Sequence, residues 1–225
     1  MIVESINSTT FATNLEQMRE RRAHIVAFQE HAMTDAQIAS VMLSLRADGW
    51  NMQAGPRDPE HARRSGGVGI QCMKPLRPMK MQPISDDFKD AYKTGRAAVW
   101  WVDIAGANVL FVVVYGLTGG LKGNEAAGRT DDLFGIIRHE LFLQPKALTI
   151  MTGDINGDTD AYPNLQEMLD DEGWTDIGAR ADMWGGVPNE PTCQVSAGTK
   201  ANRRDFFFVN VILLPAVAVY RVDIR

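Results

Sequence analysis

The sequence predicts an α/β domain, and three observations carry that expectation. Short apolar runs of strand length alternate with runs of helical period early in the chain, and strand-like runs dominate afterwards. One of these, Val109-Leu110-Phe111-Val112-Val113-Val114, lacks polar alternation, the pattern of a strand covered on both faces. The 225 residues, 45% apolar and 23% charged, have ordinary globular composition and can bury a core without staples. Most connections are short and no repeat is visible, so a single domain over 1–225 is expected.

Residues 2–7 predict a strand. Phe11, Leu15 and Met18 fall on one side at i, i+4 and i+7, which predicts an amphipathic helix over 11–22. His24 to Phe28 is a short buried strand. Thr34 is a helix N-cap, ahead of an apolar face of Ile38, Val41, Met42 and Leu45 that stops at Gly49. Residues 55–65, with two prolines and mixed charge, are the clearest loop. Strands are expected at 66–72, 95–104 and 108–115, the last two joined at a turn through Gly106-Ala107-Asn108. A helix over 125–143 is ended by Pro145, and a buried strand follows over 147–152. A further helix spans about 163–172, and strands at about 205–211 and 216–224 close the chain.

The net charge of -5 and pI near 5.4 argue against tight, non-specific binding to nucleic acid, which favours basic proteins. They do not exclude an enzyme that contacts few phosphates and recruits a divalent cation. Cys72 and Cys193 have no metal-ligand spacing, and two such distant cysteines suit a reduced, intracellular protein. No run reaches the roughly 18–20 apolar residues of a membrane span, and residues 1–22 contain no signal-peptide core.

Four strand ends carry side chains of catalytic type, at places where a sheet fixes the backbone. Glu30 ends a buried strand, where a carboxylate is costly unless it meets a cation or donors. It is either a ligand for a hard ion such as Mg²⁺ or a solvated strand-end residue. In Gly153-Asp154-Ile155-Asn156, Asp and Asn two apart on extended backbone face one side. Asp154 can then activate a water and Asn156 can hold a phosphate, or the segment is an Asx-turn with a structural glycine. Tyr115 is a phenol able to bind an oxyanion, or a rim aromatic. Asp205 can orient a histidine as a triad Asp does, or pair with Arg203.

In order, Asn7, Gln29-Glu30, Gly66-Gly67-Val68-Gly69-Ile70, Tyr115, Gly153-Asp154-Ile155-Asn156 and Arg203-Arg204-Asp205-Phe206 resemble the endonuclease/exonuclease/phosphatase superfamily, the DNase I-like proteins. Pro191-Thr192 also is similar to that family's Pro-Thr ahead of its Arg-Ile-Asp-Tyr-like strand. The resemblance spans nearly the whole chain and implies a four-layer α/β sandwich of two mostly antiparallel sheets flanked by helices. It implies Glu30 as the principal ligand of Mg²⁺ or Mn²⁺, with Asn7 beside it. It implies Asp154 as the group that activates water, Asn156 and Tyr115 as phosphate holders, and Asp205 as the brace of a catalytic histidine. Arg129 and Arg203 are expected to bind substrate. Further basic rim contacts are expected from Arg63, Arg64 and Lys122.

The departures are specific. Val113-Val114-Tyr115 stands where the family often has Asn-x-Tyr, and Arg204 stands where an apolar residue is usual. The Ser-Asp-His-like motif is absent, the chain ending at Val222-Asp223-Ile224-Arg225. Of the histidines, His24 and His139 are expected to be structural, His61 lies in the 55–65 loop, and only His31 is near Glu30. The expectation is a fragment ending short of its last strand, with an unpaired edge near Val217–Ile224, or a degenerate copy. The implied activity is metal-dependent phosphodiester hydrolysis, by a nuclease related to apurinic or retroelement endonucleases and acting on DNA rather than RNA. The alternatives are a phosphatase or phospholipid-type phosphodiesterase, or a catalytically dead binding domain.

Overall fold

The computed structural model describes residues 1–8, 11, 12, 14–59, 66–119, 122–193 and 201–222. The chain enters through β1 (Val3–Asn7) and α1 (Leu15–Arg19), returns as β2 (Ile25–Gln29), and runs through α2 (Asp35–Ala47) into β3 (Trp50–Ala54) and β4 (Val68–Met73). It then builds β5 (Pro78–Lys80), α3 (Asp86–Lys93), β6 (Ala97–Ile104), β7 (Ala107–Tyr115) and α4 (Glu125–Leu143). Last come β8 (Leu148–Asp154), α5 (Pro163–Asp171), β9 (Trp174–Asp176) and β10 (Asp205–Asn210).

The strands form a four-stranded sheet, order β1-β2-β4-β3, and a six-stranded sheet, order β5-β6-β7-β8-β10-β9. Among the described residues, only β1 with β2 and β7 with β8 pair in parallel. Both sheets turn a face inward, where Ile25, Ala27, Val68 and Ile70 meet Trp100, Phe111 and Val113. Helices cover the outer faces. Met18 and Leu45 of α1 and α2 pack with Val26 and Phe28. Phe88, Phe134 and Leu165 of α3, α4 and α5 pack with Val112, Met151 and Phe208. These four layers make an α/β sandwich. The unbroken apolar run of β7 follows directly, since one side of that strand meets the other sheet and the opposite side meets the helices.

Local chemistry explains the better-defined helices. Thr34 caps α2 through a reciprocal capping box with Gln37. Ser85 caps α3, while the buried Glu140 carboxylate of α4 accepts the N–H groups of Ile84 and Ser85, both at 2.8 Å. Two helices are thereby joined through one side chain.

Three local expectations change. The helix expected over 11–22 is confined to Leu15–Arg19. Phe11 still packs inward, its ring 4.5 Å from that of Phe28, but Arg21 leaves the helix to pair with Glu4 of β1. Strands β3, β5 and β9 and helix α3 add to the expected elements. The strand expected over 216–224 is absent among the described residues: Leu214–Ala216 is a 3-10 turn and 217–222 has no regular structure. Strand β10 already pairs with β8 on one side and β9 on the other, so no ladder is open beside it. The segment instead lays Leu213, Leu214, Val217 and Tyr220 on the inter-sheet core. His61, Arg63, Arg64 and Asp223 to Arg225 lie outside the described residues.

Candidate active site

The sheet order gathers the chemistry at one end of the sandwich. Asn7 is the last residue of β1, Glu30 follows β2, and Tyr115 and Asp154 are the last residues of β7 and β8. Tyr115 and Asp154 are partners across the parallel β7–β8 ladder, and Asp154 faces Asp205, the first residue of β10, across the antiparallel one. The two sheets contribute jointly. Asn7 Nδ2, from the four-stranded sheet, donates to Asp154 Oδ2 of the six-stranded sheet at 3.1 Å.

Gly153 lets this happen. A Cβ there would sit 1.8 Å from the Val114 carbonyl oxygen, so only glycine allows β8 to press against β7 just before Asp154. Gly153→Ala is expected to destabilise the fold by about 1–3 kcal/mol or more through overpacking, read as a lower urea midpoint.

Beyond Asp154 the backbone turns. Asn156 has φ +56°, so it does not continue the extended chain, and its N–H donates to Asp154 Oδ1 at 2.9 Å. The Asx-turn geometry is therefore the one present, and Asn156 reaches the site's edge folded back, with Nδ2 donating to Gly116 O at 3.0 Å. Glu30 also has a positive φ, +58°. A non-glycine residue held there costs of order 1–3 kcal/mol, and such strain gathers at functional positions.

Electrostatics single out the aspartates. Burial pushes the Asp154 carboxyl above its usual range and the Glu30 charge adds to the push, while Asn7, the Asn156 N–H and the Arg204 charge pull it back. Asp205 is pushed up to about 7, first by burial and then by Asp154. Its Oδ1 is buried and has no hydrogen-bond partner among the described residues, although its N–H donates to Thr192 Oγ1 at 3.0 Å. Burial, then the Glu30 charge, raises the Tyr115 phenol, and a hydrogen bond with Thr118 lowers it. The mutual effects of Glu30, Asp154 and Tyr115 place all three within one field.

Not every expected residue joins. Arg203 is buried and committed to Asp176, with Nη1 donating to Oδ2 at 2.8 Å and Nη2 to Oδ1, and its guanidinium stacks 4.1 Å from the Phe206 ring centroid. It braces β10 against β9 instead of presenting itself to substrate, and its carboxylate partner is Asp176 and not Asp205. Arg129 is exposed on α4 beside an open groove of about 360 Å³ shared with Leu117, Thr118 and Asn124. Lys122 is paired with Asp160 at 3.0 Å. His31 is buried, with Nε2 donating to Gly55 O at 3.1 Å and Nδ1 accepting from Met33 N at 3.0 Å. Burial lowers it to about 4, so it stays neutral and structural. His24 Nδ1 accepts from Ile2 N, and His139 is exposed on α4.

Two contributors escaped the sequence reading. Thr118 hydrogen-bonds the Tyr115 phenol, and Arg96 lies over the Tyr115 ring at 4.8 Å. An arginine heading an apolar strand was the available signal for Arg96.

A divalent cation fits this donor set. Glu30, Asn7 and the neighbouring aspartates offer hard oxygens, and a cation would offset the negative charge that adds to burial in raising Asp154 and Asp205. Among the described residues no group of three His, Cys, Asp or Glu side chains gathers at metal-binding range. Mg²⁺ commonly takes only one or two protein carboxylates. No helix among the described residues is long and apolar enough to cross a membrane.

No protein-family model matches the chain, and no curated protein matches it in sequence. Solved structures match over nearly its whole length. An AP endonuclease from Archaeoglobus fulgidus superposes with a TM-score of 0.68 at 13% identity, covering 97% of this chain and 88% of that one. The Xenopus laevis APE2 catalytic domain gives 0.69 at 15% identity, with 96% and 84% covered. The 3' phosphatase NExo from Neisseria, bound to product DNA hairpin, gives 0.66 at 14% identity, with 94% and 87% covered. Together with the paired sheets and their helical covers, these likenesses show that the chain has the DNase I-like fold, a four-layer α/β sandwich.

Proposed function

We propose that this chain hydrolyses phosphodiester bonds in nucleic acid, DNA in preference to RNA, with Mg²⁺ or Mn²⁺ held by Glu30 and Asn7. The observation that carries the reading is Asp154: a buried carboxylate with both oxygens oriented, by Asn7 and by the Asn156 N–H, beside the Glu30 charge. Asp154 orients the attacking water and takes its proton, a role favoured by a carboxyl raised above its usual range. Tyr115 and Asn156 donate hydrogen bonds to the phosphate, and Arg129 meets the strand beyond it. The bound cation supplies positive charge where negative charge develops on the phosphate. The DNA hairpin in NExo supports nucleic acid as the substrate class. The net charge of -5 fits few phosphate contacts and a shallow salt dependence.

The test is nicking of supercoiled plasmid, with and without EDTA, alongside duplexes carrying an abasic site or a 3' phosphate. Metal-dependent nicking supports the proposal, and release of phosphate alone points to a phosphatase. No product from any substrate would overturn it. A second reading, a domain of this fold that binds without cleaving, is favoured by the unpartnered Asp205 Oδ1.

Metal binding has its own expected result. A ligand that binds only the native state stabilises by about 2.7 kcal/mol at a hundred times its Kd. Mg²⁺ or Mn²⁺ is expected to raise the melting temperature of the chain, and Glu30→Gln to erase the rise. An equal rise in the variant would remove Glu30 from the metal site.

A further inference from the structure

Arg96 is buried against Tyr115 and has no part in the chemistry proposed above. Its Nη2 donates to Asp58 Oδ2 at 2.9 Å, its Nη1 donates to Gly116 O at 3.2 Å, and its Cζ lies 4.8 Å from the Tyr115 ring centroid. Its own carbonyl accepts the Tyr115 N–H at 2.8 Å. Side-chain exposure is only 9% for Arg96 and 7% for Asp58. Taking two charges out of water costs several kcal/mol per ion, so a buried pair is weak evidence of stability and its geometry is the more informative feature. Here that geometry closes on one residue: the guanidinium covers the ring of Tyr115 and bonds the next carbonyl, and the main chain of Arg96 holds the Tyr115 amide. The planar fork does this in one side chain, and a lysine ammonium cannot both bond Gly116 O and lie flat on the ring.

We infer that Arg96, held by Asp58, is a positioning residue that fixes the direction of the Tyr115 phenol where β7 ends. The inference rests on the phosphate-holding role proposed for Tyr115. A phosphate donor must be held within about 0.5 Å of its productive place, and a misplacement of about 1 Å can cost a hundredfold in rate. Through Asp58 the same pair ties the phenol to the segment whose Gly55 carbonyl accepts from His31. Gly95 sets that crossing, since a Cβ there would meet Pro56 O at 2.4 Å.

The test uses the full chain labelled with 3-fluorotyrosine. The sequence has four tyrosines, and loss of one ¹⁹F resonance in Tyr115→Phe assigns the signal. Arg96→Lys keeps a charge for Asp58 but loses the stacking, and Asp58→Asn keeps the guanidinium but loses its anchor. Both are expected to shift the Tyr115 resonance and leave those of Tyr162 and Tyr220 in place. In cleavage assays Arg96→Lys is expected to lower kcat roughly ten- to a hundredfold with little change in KM. In a Tyr115→Phe background it is expected to cost less than about twofold more, the non-additivity of residues acting through one another. An unmoved Tyr115 resonance, or fully additive losses, would overturn the inference. If no variant and no parent cleaves any substrate, the activity reading fails alone, because the resonance decides the positioning role without turnover.

Discussion

Asp154→Asn is expected to lower metal-dependent cleavage by about 10²–10⁴-fold, the usual cost of losing a positioned acid/base group. The substitution is nearly isosteric and falls on the last residue of β8, between the ladders to β7 and β10. Asp154 accepts from Asn7 Nδ2 and from Asn156 N on different oxygens. A carboxamide can keep one of these bonds and turns its NH₂ toward the other donor. One hydrogen bond, about 1 kcal/mol, is therefore lost, partly offset by removal of a buried charge. Such a change moves the melting temperature of a domain this size by only about 2–4 °C. A large rate loss with a small thermal shift separates chemistry from folding. Retention of cleavage within about tenfold of the parent would remove Asp154 as the base.

The second large effect is on stability against pH. The Asp205 carboxyl moves from an ordinary 3.8 to about 7 in the folded chain, burial first and the Asp154 charge second. A raised carboxyl binds its proton more tightly when folded. Its stabilising contribution is complete below about pH 4, declines as pH rises, and is gone once pH passes 7. Each tenfold in proton affinity is worth about 1.4 kcal/mol, so the full span is about 4 kcal/mol. The groups facing Asp205 are Asp154, Arg203, Arg204 and Tyr220. Asp154 is raised as well and adds to the same slope, so the comparison must be between parent and Asp205→Asn. In metal-free urea titrations from pH 5 to 8, the parent is expected to lose stability and Asp205→Asn to lose much less. Parallel profiles for the two proteins would show that Asp205 is ionised throughout.

Much of this architecture was legible because its signals were local and redundant. The uninterrupted apolar run of β7, the Thr34 cap and the Pro145 stop each reported one element through one mechanism. Trp50 and Met52 alternate with Asn51 and Gln53 in β3, but the strand has five residues between a helix end and a proline loop, too short a run for its period to stand out. Strands β5 and β9 have three residues each, too few for any period to stand out. The tail misled for a different reason: Val217, Val219 and Ile224 have strand propensity, but pairing needs an open ladder, which is a property of the whole sheet. The same distinction separates Arg203 from Arg96. Both precede strands, and only the tertiary partners, Asp176 in one case and Asp58 with Tyr115 in the other, tell a brace from a site neighbour.

The bond from Asn7 to Asp154 spans the seam between the sheets, and its donor lies on a margin. Among the described residues, strand β1 is the outer member of its sheet, hydrogen-bonded to β2 alone, and its burial is only partial. Such strands open locally at a free-energy cost well below that of global unfolding. Each opening withdraws Asn7 and leaves the Asp154 carboxylate without its amide. If the proposed reading holds, competence for chemistry is graded by the fraying of the amino-terminal strand, and a cation held by Asn7 and Glu30 would act as a clasp that damps it. Proton exchange at the β1 amides becomes a gauge of how often the site is whole.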